Sequence, residues 1–273
     1  MSSALWRLAR ELPRDLVQQL ITAEPQRDPL QEVVRLRREN PSWSAEFASA
    51  ISVQRSLNHK ARNQCLLPSN GWLLTAVGLE QSSPPEVARL RAQRISRAHT
   101  SLVVDATTGI GVDAWSLADS GLTVVGFDRD VVVSAMCQFN VPQAAIMCSD
   151  AVSPGLALER LPKDSALYVD PARRDKPRPT NGARALPERD PERWSPPWSF
   201  VENLTRIHPA VAAKAPGSFT PPSHWTVEWV GFGRDGVECV AYSEGLPALE
   251  LRRQATLISP SGVVTLPASD GRP

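Results

Sequence analysis

The spacing of hydrophobic positions changes once along this chain, near residue 100. Before that point Leu5, Leu8, Leu12, Leu16 and Leu20 recur every three or four residues, the period of one helix face, and Pro13 breaks or restarts the helix. RDPLQEVVRLRREN offers Asp28 as an N-cap and Pro29 at the first helical position, and its helix is expected to stop before Pro41. SWSAEFASAISVQRSL sets Trp43, Phe47, Ala50 and Ile51 on one face. SPPEVARLRAQRIS carries a capping box, Ser83 with Glu86 three residues on. No alternating pattern interrupts these segments, so residues 1–97 are expected to form a helical N-terminal domain or arm.

After residue 100 short apolar runs alternate with helical patterns. SLVVDA (101–106), LTVVGFD (122–128), AAIMCSD (144–150) and SALYVDPARR (165–174) each hold a strand, and VDAWSLADSG and RDVVVSAMCQFN read as the helices between the first three. That alternation predicts βαβ units and a parallel sheet over 98–273. Residues 171–197 follow as a loop with seven prolines and seven Arg or Lys, a length that points to function or disorder. SFVENLTRI is then a short helix and PAVAAKAPG a fifth strand ending at Lys214. HWTVEWVGFG and VECVAYS form a hairpin around RDG, and ATLISPSGVVTL a last pair of short strands.

Composition adds bounds. The 273 residues are 42% hydrophobic and 22% charged, as in an ordinary globular chain, while 25 prolines exceed the usual ~5% and predict many loops. The net charge of +1 is uneven: residues 1–97 hold 14 basic and 9 acidic side chains (+5), residues 98–273 hold 16 and 20 (−4). A basic front half suits an anionic partner such as RNA; a solvated helical surface accounts for it equally well. Cys65, Cys137, Cys148 and Cys239 are scattered, with no C-x-x-C pair and no histidine at ligand spacing. They read as reduced thiols of a cytoplasmic protein without a metal. No apolar run nears the ~20 residues of a membrane span, and the N-terminus lacks the pattern of a secretion signal. The oligomeric state stays open.

The chemistry lies at the strand ends. Asp105, Asp128, Asp150 and Asp170 close four successive strands at separations of 23, 22 and 20 residues, so they should share the edge where open α/β sheets bind ligands. Asp128 is placed to accept from both hydroxyls of a ribose. Asp150 is placed to face the exocyclic amine of an adenine, with the next backbone N–H, that of Ala151, towards a ring nitrogen. Gly109 and Gly111 let backbone approach the ligand. The loop TTGIG lacks the G-x-G-x-x-G of a dinucleotide site and is flanked by Asp105 and Asp113. Two carboxylates repel a pyrophosphate but suit an ammonium or a sulfonium. S-adenosylmethionine has an adenosine, an ammonium and a sulfonium. The expected cofactor set is therefore Asp105, Thr107, Gly109, Gly111, Asp113, Asp128, Arg129, Asp150 and Ala151. Each acid alone fits a helix cap; the four together point to the cofactor.

At DATTGIGVD and VDPARRD the chain resembles class I S-adenosylmethionine-dependent methyltransferases, nearest to a bacterial group with D-x-T-x-G-x-G-x-D and D-P-A-R-R motifs. Members of that group often carry an additional C-terminal domain resembling THUMP, an RNA-binding module, which this chain is expected to lack. GLEQSSPPEVARLRAQRI resembles the helix before the group's cofactor domain, and AAKAPGS its fifth strand end. More distantly the motif order is similar to trimethylguanosine synthases. The resemblance implies a Rossmann-like, seven-stranded, mostly parallel sheet whose last strand is antiparallel, and methyl transfer to RNA. Related amine methyltransferases read D/N-P-P-aromatic at the fourth strand; here the residues are Asp170, Pro171, Ala172 and Arg173.

Methyl transfer to an amine needs alignment and a proton acceptor. Asp170 and the carbonyl of Pro171 are the candidate catalytic groups. Arg173 and Arg174 are candidates for a substrate phosphate, and a solvated loop charge explains them as well. Trp194, with Trp198, is a candidate stacking surface, against simple packing of a proline-rich loop. Lys214 is a candidate facing the site. The expected reaction is methylation of an RNA base, in tRNA or rRNA. A non-catalytic RNA-binding protein on the same scaffold is the alternative, and a nicotinamide oxidoreductase is disfavoured by the two loop carboxylates.

Overall fold

The structure is a computed structural model that describes residues 2–69, 71–152, 160–162, 164–173, 188–233 and 235–268. Six helices come first: α1 (Ser2–Arg10), α2 (Arg14–Thr22), α3 (Pro29–Glu39), α4 (Ala45–Asn63), α5 (Ala76–Gln81) and α6 (Pro85–Ser96). Then follow β1 (Leu102–Asp105), α7 (Val112–Asp119), β2 (Thr123–Asp128), α8 (Val131–Asn140), β3 (Ala145–Cys148) and β4 (Ser165–Val169). The chain continues through α9 (Trp198–Ile207), β5 (Val211–Pro216), β6 (Thr226–Phe232), β7 (Asp235–Tyr242), β8 (Arg253–Ser259) and β9 (Gly262–Pro267).

The strands form one sheet in the order β3-β2-β1-β4-β5-β7-β6-β8-β9. β1 to β5 are parallel, and β7 inserts antiparallel between β5 and β6. The order reverses between β1 and β4, which places the crevice of an open α/β sheet at their carboxyl ends. The resemblance implied seven strands; among the described residues the sheet has nine, because the last pair read from ATLISPSGVVTL joins it. β8 joins β6 in parallel and β9 folds back on β8. Ile258 of β8 packs on Val87 and Val230, and polar contacts add to this: Gln254 and Thr256 of β8 both donate to Glu228 Oε1 (2.7 and 2.5 Å), and Arg94 of α6 reaches the same oxygen at 3.0 Å. A buried carboxylate requires such partners.

Hydrophobic packing is continuous across residue 97. Leu8, Ile21, Phe47 and Ile51 of the early helices share a core with Met136 and Phe139 of α8. Trp72, Leu79, Ala92 and Ile95 share another with Val103, Leu117 and Val124. The Asn140 side chain clamps three segments: it accepts from Leu73 N (2.7 Å) and donates to the carbonyls of Leu73 and Ile110 (both 2.9 Å). The glycine loop is thereby fixed to the N-terminal segment as well as to the sheet.

Asp28 caps α3 as expected, accepting from Leu30 N at 2.9 Å. The Ser83–Glu86 capping box does not form. The N-cap of α6 is Pro84, with no side-chain cap, and Ser83 Oγ instead takes Nη2 of Arg91 (2.9 Å) and Nζ of Lys214 (3.1 Å). Arg91 is 3% exposed, so its donors call for partners inside the protein, and that demand outweighs a cap at the start of α6.

Candidate active site

The carboxyl ends of the parallel strands open on a cleft of about 520 Å3. Its floor is the loop 106–111. Asp105, ending β1, is completely buried beneath it and accepts from Thr107 N at 3.0 Å. Thr107 Oγ1 accepts from the backbone N–H of Asp170 at 2.7 Å, tying the loop to the end of β4. On the other side Thr108 N donates to Phe127 O (2.9 Å) and Gly109 N to Asp128 Oδ2 (3.0 Å), tying it to β2.

The two glycines have different roles. Both are left-handed, at φ +52° and +98°, which disfavours a side chain. A Cβ on Gly109 would meet no atom within 4 Å, so that turn faces open space. A Cβ on Gly111 would strike Val141 Cγ2 at 2.8 Å and Cys137 Sγ at 2.9 Å, so this glycine lets α7 start against α8.

Asp128 stands at the rim. Burial pushes its carboxyl up from the ordinary range, while the N–H groups of Asp130 (2.9 Å) and Gly109 oppose that shift. A carboxylate has about four lone-pair positions. Among the described residues two are engaged, one on each oxygen, which leaves one on each for a pair of neighbouring hydroxyls. Asp150 is exposed at the cleft edge and accepts from Val152 N at 3.1 Å. Asp105 is pushed well up by burial and by the charge of Asp113. Its Oδ2 is buried without a hydrogen-bond partner among the described residues, and Asp113 Oδ1 has only the charge of Arg91 beside it there.

Opposite this rim lies a cluster of buried charge. Lys214 Nζ, from β5, is 2.6 Å from Asp170 Oδ2. Arg91 of α6 reaches Glu238 (2.8 Å), Asp113 (3.3 Å) and the Tyr168 hydroxyl (2.9 Å). Burial works against both cations, yet the surrounding carboxylates hold both above their ordinary ranges. Burial pushes Glu238 up, and Arg91 and Lys214 oppose that shift.

Thr107, Gly109, Gly111, Asp113, Asp128, Arg129, Asp150, Ala151, Asp170, Pro171, Arg173 and Lys214 all line the cleft. Asp105 lies under the loop and shapes it. Arg174 falls outside the described residues. Trp194 is corrected: it is 4% exposed, packs edge-on to Trp198 and Phe219, and donates its indole N–H to Glu188 O. It offers no stacking face, because a large apolar ring gains more by joining the core beneath α9 than by facing water. Sequence reading missed Glu80, Gln81 and Ser82, which line the cleft at the C-terminal end of α5. It also missed Arg91, Ser83 and Glu238. Among the described residues no group of three or more His, Cys, Asp and Glu could hold a metal ion. No described helix is long and apolar enough to cross a membrane.

No protein-family profile matches the chain. Two uncharacterized S-adenosylmethionine-dependent methyltransferases of Mycobacterium tuberculosis are each 30% identical to it over 193 residues, 68% of this chain and 50% of theirs. The chain thus spans about half the length of the curated relatives it matches. The crystal structure of a "putative methyltransferase" from Porphyromonas gingivalis superposes with a TM-score of 0.66, covering 96% of this chain and 65% of that one at 16% identity. With the strand order and the glycine loop already described, these likenesses identify the architecture: the chain has the Rossmann-like class I methyltransferase fold.

Proposed function

We propose that this protein is an S-adenosylmethionine-dependent methyltransferase acting on an RNA base. One observation carries the reading: a single cleft joins the open turn at Gly109, the two remaining acceptor positions of Asp128 and the Asp170–Lys214 pair. The residues fit the cofactor. The Asp128 positions match two ribose hydroxyls, Asp150 and Ala151 border the place for an adenine, and the carboxyl groups of Asp105 and Asp113 beside the loop disfavour a pyrophosphate there. The two relatives named as S-adenosylmethionine-dependent enzymes support the same assignment.

The cofactor would supply a methyl group activated by its sulfonium. The protein's task is then alignment and exclusion of water. Lys214 engages Oδ2 of Asp170, so among the described residues Oδ1 remains to accept a hydrogen bond from an acceptor N–H and to stabilise the positive charge that develops there. The Pro171 carbonyl is a second acceptor beside it. Arg173 and the +5 helical segment would attract the nucleic-acid backbone.

Single-turnover transfer of labelled methyl from the cofactor to fractionated tRNA and rRNA tests this. Label should enter one RNA fraction, and binding should weaken steeply with salt. Label that enters protein or small molecules alone would reject the RNA assignment. Cofactor and RNA binding without transfer would favour a non-catalytic RNA-binding protein, a reading supported by Arg173 in the aromatic position and by the burial of Trp194.

A further inference from the structure

A second cavity, of about 220 Å3, adjoins the cleft and shares Gln81, Ser82, Arg173 and Lys214 with it. We propose that it is the acceptor pocket and takes a single nucleobase, stacked on Phe232, with the base's polar edge towards Lys214 and Glu238. This rests on the methyl-transfer reading above and names the place where that reaction's substrate sits.

Four features converge on a base. The first is continuity: Lys214 lines both cavities and holds Asp170, so a group seated here lies next to the proposed proton acceptor. The second is size, since this cavity is below the ~300–1,000 Å3 of pockets for drug-sized ligands and suits one ring system. The third is the pattern of polarity. Pro84, Val87, Val230 and Val237 supply apolar lining, and the charged groups are Arg173, Lys214 and Glu238. Lys214 Nζ and Glu238 Oε2 both approach Ser83 Oγ, at 3.1 and 3.5 Å, which sets a strong donor near an acceptor. Glu238 Oε1 is taken by Arg91, whereas among the described residues Oε2 has only that longer contact. Base edges likewise carry donors beside acceptors.

The fourth feature is Phe232 itself. At the place of the aromatic residue that amine methyltransferases carry after the fourth strand, this chain has Arg173. Phe232 lines the pocket from β6 instead. The β6–β7 register shifts between Gly231 and Phe232, and such bulges re-aim side chains near sites. The ring is partly buried against Val87, Val230 and Ile258, which fixes it, while the rest borders the cavity. Aromatic faces bind bases in this way with little sequence preference. Arg173 supplies a cation for a phosphate where the two cavities meet.

The test is ligand-observed NMR with the four ribonucleoside 5′-monophosphates, on full-length protein saturated with S-adenosylhomocysteine, with tyrosine amide as a non-base aromatic control. Cofactor affinity is measured in parallel by calorimetry. At least one nucleotide should bind more tightly than tyrosine amide. Phe232→Ala should weaken it by about fivefold or more, the lower end for a lost base stack, and leave S-adenosylhomocysteine affinity unchanged. Gly236→Leu is the second variant: Gly236 is an exposed pocket residue whose added Cβ meets nothing within 4 Å, so the fold tolerates it and the side chain crowds the cavity. It should weaken the same nucleotide. Nucleotide binding unaffected by both variants would overturn the pocket, as would no nucleotide binding beside normal S-adenosylhomocysteine binding; both leave the cofactor reading intact. Failure to bind S-adenosylhomocysteine would overturn the methyltransferase reading and the acceptor pocket with it.

Discussion

Lys214 Nζ lies 2.6 Å from Asp170 Oδ2, joining the end of β5 to the end of β4 inside the cleft. Burial alone would lower the lysine's pKa; Asp170 and Glu238 more than compensate and raise it. A cation whose folded pKa is raised contributes stability in full below its unfolded value and loses it as pH rises through the folded value. Unfolding stability should therefore fall as pH climbs above about 10.4, the ordinary lysine value. Lys214→Met should be less stable near neutrality, because Asp170 and Glu238 lose a partner, and should lack this alkaline loss. Urea titrations of both proteins across alkaline pH decide it; parallel curves would mean that the pair is not coupled to folding.

Asp170→Asn keeps the shape and an acceptor oxygen but removes the charge. If Asp170 stabilises the charge on the methyl acceptor, turnover should fall by about 100-fold or more, in the range for a lost transition-state electrostatic contact, with cofactor affinity little changed. Equal turnover per folded molecule would reduce Asp170 to a partner of Lys214.

Asp128 is raised by burial, so in the free protein it takes up a proton at higher pH than an ordinary aspartate. Ribose hydroxyls donate to its ionised form, so cofactor affinity should fall as pH drops through that raised value. Asp128→Asn should flatten the profile. Affinity measured by calorimetry from neutral to mildly acidic pH tests it, and an equally steep wild-type and variant profile would assign the titration elsewhere.

Arg91 is 3% exposed and meets Asp113, Glu238, Ser83 and Tyr168. Arg91→Met takes from the partly buried Asp113 and Glu238 a cation they share, and breaking a buried pair costs about 3–5 kcal/mol. The urea midpoint should fall accordingly. A loss below about 1 kcal/mol would show that water and repacking replace the arginine.

The parallel sheet and most of the cleft were legible because each element carries its own local pattern: an apolar run, an acid at its end, then a glycine or a cap. The four strand-end acids needed only their spacing along the chain. Arg91 was not legible. On α6 it reads as one more solvated arginine, and its partner Glu238 stands 147 residues away. Ser83 misled for the same reason, since its capping pattern is local and the groups that claim its hydroxyl are not. Trp194 looked available in a polar, proline-rich loop, but the aromatic cluster that buries it is assembled from α9, Phe219 and Trp225. The polar part of the attachment of β8 to β6 depends on Glu228, an acid inside a strand that nothing in the local sequence marks as buried.

Calorimetric titration of the protein with S-adenosylmethionine, S-adenosylhomocysteine and NAD tests the central claim most directly. The account predicts that the first two bind at one site per chain, that NAD does not compete, and that Asp128→Ala weakens both by about 1.5–3 kcal/mol, the range for hydrogen bonds to a charged group. Preferential binding of NAD, or wild-type affinity in Asp128→Ala, would contradict it.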